Sequence, residues 1–193
     1  MKIYLCRHGQ TTGDIEDRYG GDYDDHLNKL GITQAQLLAD SLKDKGIEKI
    51  FVSPLMRAKE TAEILGKTLN LVPEVIPDLK ERNQNGILTG MIKSEAKNKY
   101  PKLVDLLRDY KNTIEGAESF EGFQMRIIRA IEGISKTNYE TIALVTHGGP
   151  IMTILRQIES VPNYKIEDCA FAELMADGGK KVVLKLNGIT RIE

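Results

Sequence analysis

The sequence has no excess of charge of either sign. Its 27 Lys and Arg residues nearly balance its 28 Asp and Glu residues, so the formal net charge is −1 over 193 residues. The two kinds of charge are interspersed, which leaves no broad field to attract DNA, RNA or an anionic membrane surface. Long apolar runs are also missing, and none approaches the roughly 20 residues of a membrane span. We therefore expect neither a nucleic acid nor a membrane as a partner.

Cysteine is scarce as well. The chain has two, Cys6 and Cys169, each within an apolar run and without the Cys-x-x-Cys spacing of redox or zinc sites. This usage predicts two buried free thiols in a reducing compartment. The first residues also lack the basic-then-apolar pattern of an export leader, so the expected location is the cytoplasm.

What the chain does contain is a strand–histidine–glycine unit that occurs twice. The apolar run at 3–6 leads into Arg7-His8-Gly9, and the run at 141–145 leads through Thr146 into His147-Gly148-Gly149. Short aliphatic runs bounded by turn residues predict buried parallel strands, and ligands bind at the carboxyl ends of such strands. We therefore expect His8 and His147 to meet over one pocket.

The remaining pattern alternates strands and helices over the length of a single domain. Strands are predicted at 50–52 and 74–76, and a hairpin turn at Asp177-Gly178-Gly179 between strands at 169–175 and 181–186. One predicted helix runs from Thr33, where Gln36 completes a capping box, to Gly46, and a second starts at Pro54 with Ser53 as its N-cap. A third helical region covers 93–112 with a break near Pro101, and a fourth helix has Ser119 as its N-cap. We expect one domain, 1–193, in which roughly 78–117 form an inserted cover over the edge of the sheet.

Cationic and imidazole side chains concentrate at the predicted strand ends and helix starts. These are Arg7, His8, Arg57 and His147. Unpaired cations repel one another, so this concentration calls for an anion among them. A phosphoryl group fits best, because arginines match its oxygens bidentately and helix N-termini add backbone donors. A neutral imidazole is also a nucleophile near neutral pH, which makes transfer of the phosphoryl group to histidine chemically reasonable.

Two other kinds of site compete with the phosphate site. His8, His147 and a carboxylate would make the two-histidine, one-carboxylate pattern of a metal site, but two neighbouring arginines oppose a divalent cation. The glycine pairs 20–21 and 178–179 lack the spacing of a P-loop or a dinucleotide fingerprint. The residues therefore favour a phosphate site over a metal or nucleotide site.

The same motifs, taken in order, resemble the histidine phosphatase superfamily, in the branch that includes cofactor-dependent phosphoglycerate mutases and related phosphatases. The resemblance covers nearly the whole chain. It rests on Arg7-His8-Gly9-Gln10-Thr11, Asp25-His26-Leu27 with Gly31 and Gln34-Ala35, Ser53-Pro54 with Arg57-Ala58 and Thr61-Ala62, Leu79-Lys80-Glu81, Gly116-Ala117-Glu118-Ser119, and Thr146-His147-Gly148-Gly149.

The resemblance implies a three-layer α/β/α sandwich with a mostly parallel central sheet, and a reaction that needs no metal and no cofactor. It implies that His8 attacks phosphorus and becomes phosphohistidine. It implies that Glu81 protonates the leaving alkoxide and then takes a proton from the hydrolytic water. Stabilisation of the phosphoryl charge falls to Arg7, Arg57 and His147. The full set implied to contact the substrate is Arg7, Gln10, Thr11, Asp14, Arg57 and Gly148.

The sequence departs from the family pattern at three places, one of which, Glu115 in place of a common proline or other loop residue, has no interpretation. Asp14 stands where the family usually has an asparagine that donates to the phosphate, and an ionised aspartate cannot donate. Its side chain must turn away, be protonated or pair with an arginine. Gly86 and Gly90 lie one residue further from Glu81 than is usual, and Leu88-Thr89 replaces the common Trp-Glu.

The short cover favours hydrolysis, because holding a phosphohistidine while a product reorients requires exclusion of water. The expected function is therefore a metal-independent phosphomonoesterase acting on a small phosphorylated metabolite. Two alternatives remain, a phosphoglycerate mutase-type isomerase and a non-catalytic protein that binds a phosphorylated ligand for regulation. The pattern leaves open whether the chain forms a homo-oligomer, since exposed apolar patches cannot be separated from the core by pattern alone.

Overall fold

The two strand–histidine units lie side by side in the centre of a sheet. In the computed structural model, which describes residues 1–160, 163–177 and 179–192, β1 (Lys2–Arg7) and β4 (Thr141–Thr146) pair in parallel, with Arg7 opposite Thr146. The inner residues of both strands are buried, as expected for parallel strands covered on both faces. Because the strands are in register, His8 and His147 leave the sheet at the same edge.

The other strands are β2 (Lys49–Val52), β3 (Glu74–Val75), β5 (Asn163–Asp177) and β6 (Lys180–Ile192). Over the described residues the sheet has six strands in the order β3-β2-β4-β1-β5-β6. The first four in this order are parallel, whereas β5 and β6 are antiparallel. The predicted mostly parallel sheet is therefore confirmed, with a last strand pair longer than expected. Gly178 of the predicted hairpin turn lies outside the described residues.

Helices cover both faces of this sheet. One face packs against α2 (Lys29–Leu42) and α3 (Met56–Leu69), and the other against α6 (Phe120–Ile134) and α7 (Gly148–Glu159). Each face of the sheet has its own hydrophobic core, and alternate residues of β1 point into them. Tyr4 and Cys6 belong to one core and Ile3 and Leu5 to the other. The predicted three-layer sandwich is confirmed. The shorter elements are α1 (Thr12–Ile15), α4 (Lys93–Lys99), α5 (Pro101–Leu106) and 3-10 turns at Pro77–Leu79 and Gly86–Leu88.

Two predicted helix starts are wrong. Helix α2 begins at Lys29 rather than Thr33, because Asn28 caps it by accepting from the Gly31 N–H at 2.8 Å. It ends at Leu42 rather than near Gly46. The second begins at Met56 rather than Pro54. Its predicted cap, Ser53, uses its hydroxyl in a tertiary contact described below.

Other local predictions are confirmed. Ser119 caps α6 by accepting from the Gly122 N–H at 3.1 Å, and the break near Pro101 separates α4 from α5. Of the two free thiols predicted to be buried, Cys6 is buried, whereas Cys169 is only half-buried, so that prediction is confirmed for Cys6 alone. Among the described residues, no helix combines the length and apolar character that crossing a membrane requires.

The domain boundaries stay a prediction. Within the proposed cover, residues 78–117, the buried side chains of Leu88, Ala96 and Ile114 form a small hydrophobic cluster separate from the two clusters on the sheet.

Candidate active site

His8 follows the end of β1 and is 6% exposed. Its Nδ1 lies 2.8 Å from the carbonyl oxygen of Gly9, which can only accept, so Nδ1 carries the hydrogen and Nε2 keeps a lone pair. That lone pair accepts from Arg57 Nε at 3.1 Å. Burial, and then the charges of Arg57 and Arg7, hold the pKa of His8 well below its usual value. His8 is therefore a neutral imidazole whose free nitrogen faces an arginine.

Arg57, the second residue of α3, is 4% exposed and fixed by the loop at 21–25. Its NH1 donates to the carbonyl oxygen of Tyr23 at 2.6 Å and to Asp25 Oδ1 at 2.9 Å, and its NH2 donates to the carbonyl oxygen of Gly21 at 2.7 Å. A cation near a helix N-terminus is unfavourable, and the buried pair with Asp25 offsets this cost. The guanidinium is thus held with one edge toward His8.

Arg7 is anchored by the bulged part of β5. Its NH1 donates to the carbonyl oxygen of Ile166 at 2.6 Å, and its NH2 pairs with Asp168 Oδ1 at 3.1 Å. Its Nε is buried without a hydrogen-bond partner. The two terminal nitrogens of the guanidinium, NH1 and NH2, therefore bind protein oxygens, whereas the Nε–H has no acceptor among the described residues.

His147 lies beside His8, with 5.0 Å between the ring centroids. Its Nε2 is 2.6 Å from Ser53 Oγ, which also accepts from the Leu55 N–H at 3.3 Å. In the tautomer with its hydrogen on Nδ1, His147 accepts from the Ser53 hydroxyl through Nε2, so this buried hydroxyl hydrogen has an acceptor, and we assign that tautomer. Burial, followed by the charges of Arg57, His8 and Arg7, holds the pKa of His147 well below its usual value.

Two buried donors at this edge of the sheet therefore have no acceptor among the described residues. Among the side-chain nitrogens and oxygens of the described residues, Arg7 Nε and His147 Nδ1 are the ones that are buried and unpartnered. Buried donors almost always have an acceptor, because an unmade hydrogen bond costs about 1–3 kcal/mol. Gly148 begins α7 nearby and adds the positive end of a 12-residue helix. An anion with several acceptor oxygens satisfies all of these groups.

Glu81 enters the site from the irregular segment that follows the Pro77–Leu79 turn. Its Oε2 accepts from the Gly149 N–H at 2.9 Å and its Oε1 from the Arg82 N–H at 2.8 Å. Burial raises the pKa of Glu81, although both hydrogen bonds and the charges of Arg57 and Arg7 act in the opposite direction. The carboxyl group therefore keeps its proton to a higher pH than a free glutamate does, as a general acid requires.

The other predicted substrate-binding side chains, those of Gln10, Thr11 and Asp14, are also hydrogen-bonded within the protein. Gln10 Oε1 accepts from Asn28 Nδ2 at 2.9 Å. Asp14 Oδ2 accepts from both the backbone N–H and the hydroxyl of Thr11, each at 2.9 Å, and so completes the capping box of α1. Of the alternatives left open for Asp14, the structure has the one in which its side chain turns to a neighbouring group. Contact of these residues with substrate stays a prediction.

A cavity of about 340 Å³ opens next to Glu81. Sequence reasoning missed it because its walls come from the proposed cover, α6, α7 and the start of β5. One signal was available, since Gly149, Met152, Thr153 and Arg156 recur at helical spacing after His147 and all line the cavity.

The described residues offer no set of side chains that matches the metal site considered as an alternative. Over residues 1–160, 163–177 and 179–192, no group of three or more His, Cys, Asp or Glu side chains is arranged to hold a metal ion. His8 Nε2 faces the guanidinium of Arg57, and His147 Nε2 faces the Ser53 hydroxyl.

Several of the curated proteins with similar sequences are named as phosphatases. The chain is 37% identical to the metal-independent phosphoserine phosphatase of Arabidopsis thaliana over 164 residues, which cover 81% of this chain and 68% of that protein. It is 28% identical to phosphoserine phosphatase 1 of Hydrogenobacter thermophilus over an alignment of 198 residues, which covers 97% of this chain and 92% of that protein.

The fold also occurs in a solved structure, the alpha-ribazole phosphatase from Shigella flexneri. The TM-score is 0.87 at 23% identity, with 97% of this chain and 96% of that chain covered. At that identity the likeness concerns the fold. A sequence model of the histidine phosphatase superfamily (branch 1) matches residues 3–188. With nearly its whole length matched and the motif residues gathered at one sheet edge, this chain belongs to the histidine phosphatase superfamily.

Proposed function

We propose that this phosphatase hydrolyses small phosphomonoesters without a metal, through a phosphohistidine formed on His8. The observation that carries the proposal is the neutral His8 Nε2 lone pair lying in one buried site with two unpartnered donors, Arg7 Nε and His147 Nδ1. A phosphoryl group supplies an electrophile for the first and acceptor oxygens for the other two.

In the first step, His8 Nε2 attacks phosphorus and the bond from phosphorus to the leaving oxygen breaks. Arg57 Nε, which donates to Nε2 in the free enzyme, turns to a phosphoryl oxygen and so releases the lone pair. Arg7, Arg57 and His147 stabilise the charge on the phosphoryl oxygens as the transition state forms. The proton of Glu81 passes to the leaving oxygen, and an alcohol departs.

In the second step, a water molecule attacks the phosphohistidine. The Glu81 carboxylate takes a proton from this water, the bond from His8 Nε2 to phosphorus breaks, and inorganic phosphate leaves. The neutral imidazole and the protonated carboxyl group are restored. One phosphomonoester and one water give one alcohol and one phosphate.

O-phosphoserine is the first substrate to test, because two of the similar proteins are named for it. The experiment follows release of phosphate from O-phosphoserine and from 4-nitrophenyl phosphate in the presence of EDTA. A rapid acid-free quench with radiolabelled substrate then locates the label on the chain. We expect turnover that resists the chelator, and label on His8.

His8→Ala should abolish turnover and labelling, whereas the matched variant His26→Ala should keep both, since His26 is exposed and paired with Glu60. Near-normal turnover by His8→Ala would refute the nucleophile. Isomerised phosphoglycerate without released phosphate would instead identify a mutase. Tight phosphate binding without any turnover would identify a regulatory binding protein.

A further inference from the structure

Glu81 lies in an irregular stretch of the described chain, residues 80–84, which belong to no helix or strand. Its carboxyl group accepts from the N–H groups of Gly149 and Arg82. Arg82 is the next residue in the chain and moves with Glu81, so these two bonds alone do not fix where the main chain runs. Because this stretch lacks the repeating hydrogen bonds of regular structure, other groups must hold it in place.

Directly before the candidate general acid, three successive carbonyl groups accept hydrogen bonds from side chains. Arg126, in α6, donates through NH1 to the carbonyl oxygens of Asp78 at 2.7 Å and Lys80 at 2.9 Å. The hydroxyl of Thr146, at the end of β4, donates to the carbonyl oxygen of Leu79 at 2.7 Å. The main chain that leads into the acid is therefore fixed to α6 and to β4.

The other edge of the Arg126 guanidinium binds the carboxylate of Glu118. Its Nε donates to Oε1 at 2.9 Å and its NH2 to Oε2 at 2.7 Å, which is a bidentate geometry. The Arg126 side chain is 14% exposed, and its guanidinium lies 5.3 Å from the centroid of the Phe123 ring. Bidentate bonds between charged groups are strong and directional, so this pair orients the guanidinium toward the carbonyl groups that it binds.

Glu118 also holds the chain on the far side of the acid. Its N–H donates to the carbonyl oxygen of Asn83 at 2.8 Å, and its own carbonyl oxygen accepts from Arg82 Nε at 3.0 Å. The ion pair between Glu118 and Arg126 thus joins the contacts before Glu81 to the contacts after it.

The motif Gly116-Ala117-Glu118-Ser119 has no step in the proposed reaction, and these contacts give it a role. We propose that Glu118 and Arg126 are positioning residues for the general acid. Their ion pair holds the main chain on both sides of Glu81 and so places its carboxyl group at the leaving oxygen. This inference rests on the proposed function, because it assumes that Glu81 protonates the leaving group.

The test compares two phosphate esters of similar size, benzyl phosphate and 4-nitrophenyl phosphate. The alkoxide of benzyl alcohol needs a proton in order to leave, whereas 4-nitrophenolate leaves with little help. The measured quantity is kcat/KM, which covers the steps up to transfer of the phosphoryl group to His8 and excludes the later role of Glu81 as a base. The ratio of kcat/KM for benzyl phosphate to kcat/KM for 4-nitrophenyl phosphate, taken on one preparation, does not depend on the fraction of folded enzyme.

In Arg126→Gln and in Glu118→Gln this ratio should fall about 10- to 100-fold, because a small displacement of a catalytic group is costly. Arg126→Lys keeps the charge with fewer donors in a fixed geometry and should recover part of the ratio. The double variant should lose no more than the larger single loss, since the two residues act as one unit. As a control, Arg191→Gln breaks a similar bidentate pair with Glu159, at the C-terminal end of α7, and should keep the wild-type ratio.

A wild-type ratio in both Gln variants would overturn the positioning role. An equal loss on both esters would also overturn it, and would mean that the pair serves the fold or the phosphate site instead. Glu81→Gln is the reference variant. If it lowers the ratio while the variants at 118 and 126 do not, this inference fails alone. If Glu81→Gln keeps the wild-type ratio, or the wild type turns over neither ester, the proposed function fails and this inference fails with it.

Discussion

Gly149 packs so closely against Glu81 that a side chain at position 149 would displace the Glu81 carboxyl group. The Gly149 N–H donates to Glu81 Oε2 at 2.9 Å, and a Cβ atom at position 149 would collide with Oε1 of the same carboxyl group. Residues 149 and 81 are 68 positions apart in the chain, yet the placement of the Glu81 carboxyl group depends on the absence of a side chain at residue 149.

The variant Gly149→Ala should displace the carboxyl group of Glu81. Because alkoxide leaving groups need a proton and aryl oxides need little help, we expect kcat/KM to fall about 10- to 100-fold on O-phosphoserine and far less on 4-nitrophenyl phosphate. Gly133→Ala, in an open part of α6, is the matched control and should leave both rates intact. A uniform loss on both substrates would mean that residue 149 serves phosphate binding rather than the acid.

The raised pKa of Glu81 also predicts a pH dependence. The protonated form is the acid, so kcat for an alkyl phosphate should fall as the pH rises through this raised pKa, above the range of a free glutamate near 4.5. Glu81→Gln should lower alkyl-phosphate kcat by about 100-fold or more and remove this alkaline limb. Steady-state pH profiles of both forms provide the measurement, and an alkaline limb that persists in Glu81→Gln would assign it to another group.

The two buried histidines should destabilise the fold in acid. Their pKa values are lowered in the folded chain, so below about pH 6.5 the unfolded chain binds more protons. Each then removes up to about 1.4 kcal/mol of the free energy of unfolding per pH unit. Urea unfolding between pH 7 and 5.5 should show a smaller loss in His8→Asn than in the wild type. An identical loss in both would contradict the neutral assignment of His8.

Asp168 should act on catalysis through Arg7, which it holds at 3.1 Å. Asp168→Ala frees one end of the guanidinium, so we expect KM for substrate and Ki for inorganic phosphate to rise about tenfold, with a smaller change in kcat. Asp168→Asn keeps an acceptor oxygen and should recover part of the loss. Asp105→Ala, an exposed partner of Arg108, is the control that should change neither constant. Equal values in wild type and Asp168→Ala would mean that Ile166 alone positions Arg7.

Local patterns were sufficient to predict the sheet and the clustering of Arg7, His8, Arg57 and His147. Aliphatic runs that end in glycine turns specify buried strands whatever surrounds them, and parallel strands end at a common edge. The helix starts at Thr33 and Pro54 failed because capping was decided by competition among nearby groups. Asn28 caps α2 one turn earlier than predicted.

Ser53 and the cavity beside Glu81 show why tertiary contacts were harder to predict. Ser53 looks like an N-cap, but its hydroxyl contacts His147, which is 94 residues away in sequence. The cavity takes part of its lining from Tyr110 and Asn163, and the segment that holds Tyr110 has no strong periodicity. The contact of Asp14 was easier to predict, because Thr11 and Asp14 have the spacing of a capping box. A side chain bonded in a capping box is not available to the phosphate.

The alignment of Arg7 with Thr146 across β1 and β4 has a consequence for assembly of the molecule. Side chains alternate between faces along a strand, so a slip of one residue would carry one histidine toward the opposite face of the sheet and separate it from the other. A misaligned chain can collapse and form its helices, yet it cannot turn over substrate. During refolding, recovery of enzymatic activity therefore reports when these two strands pair in register. This event is distinct from the earlier collapse of the chain.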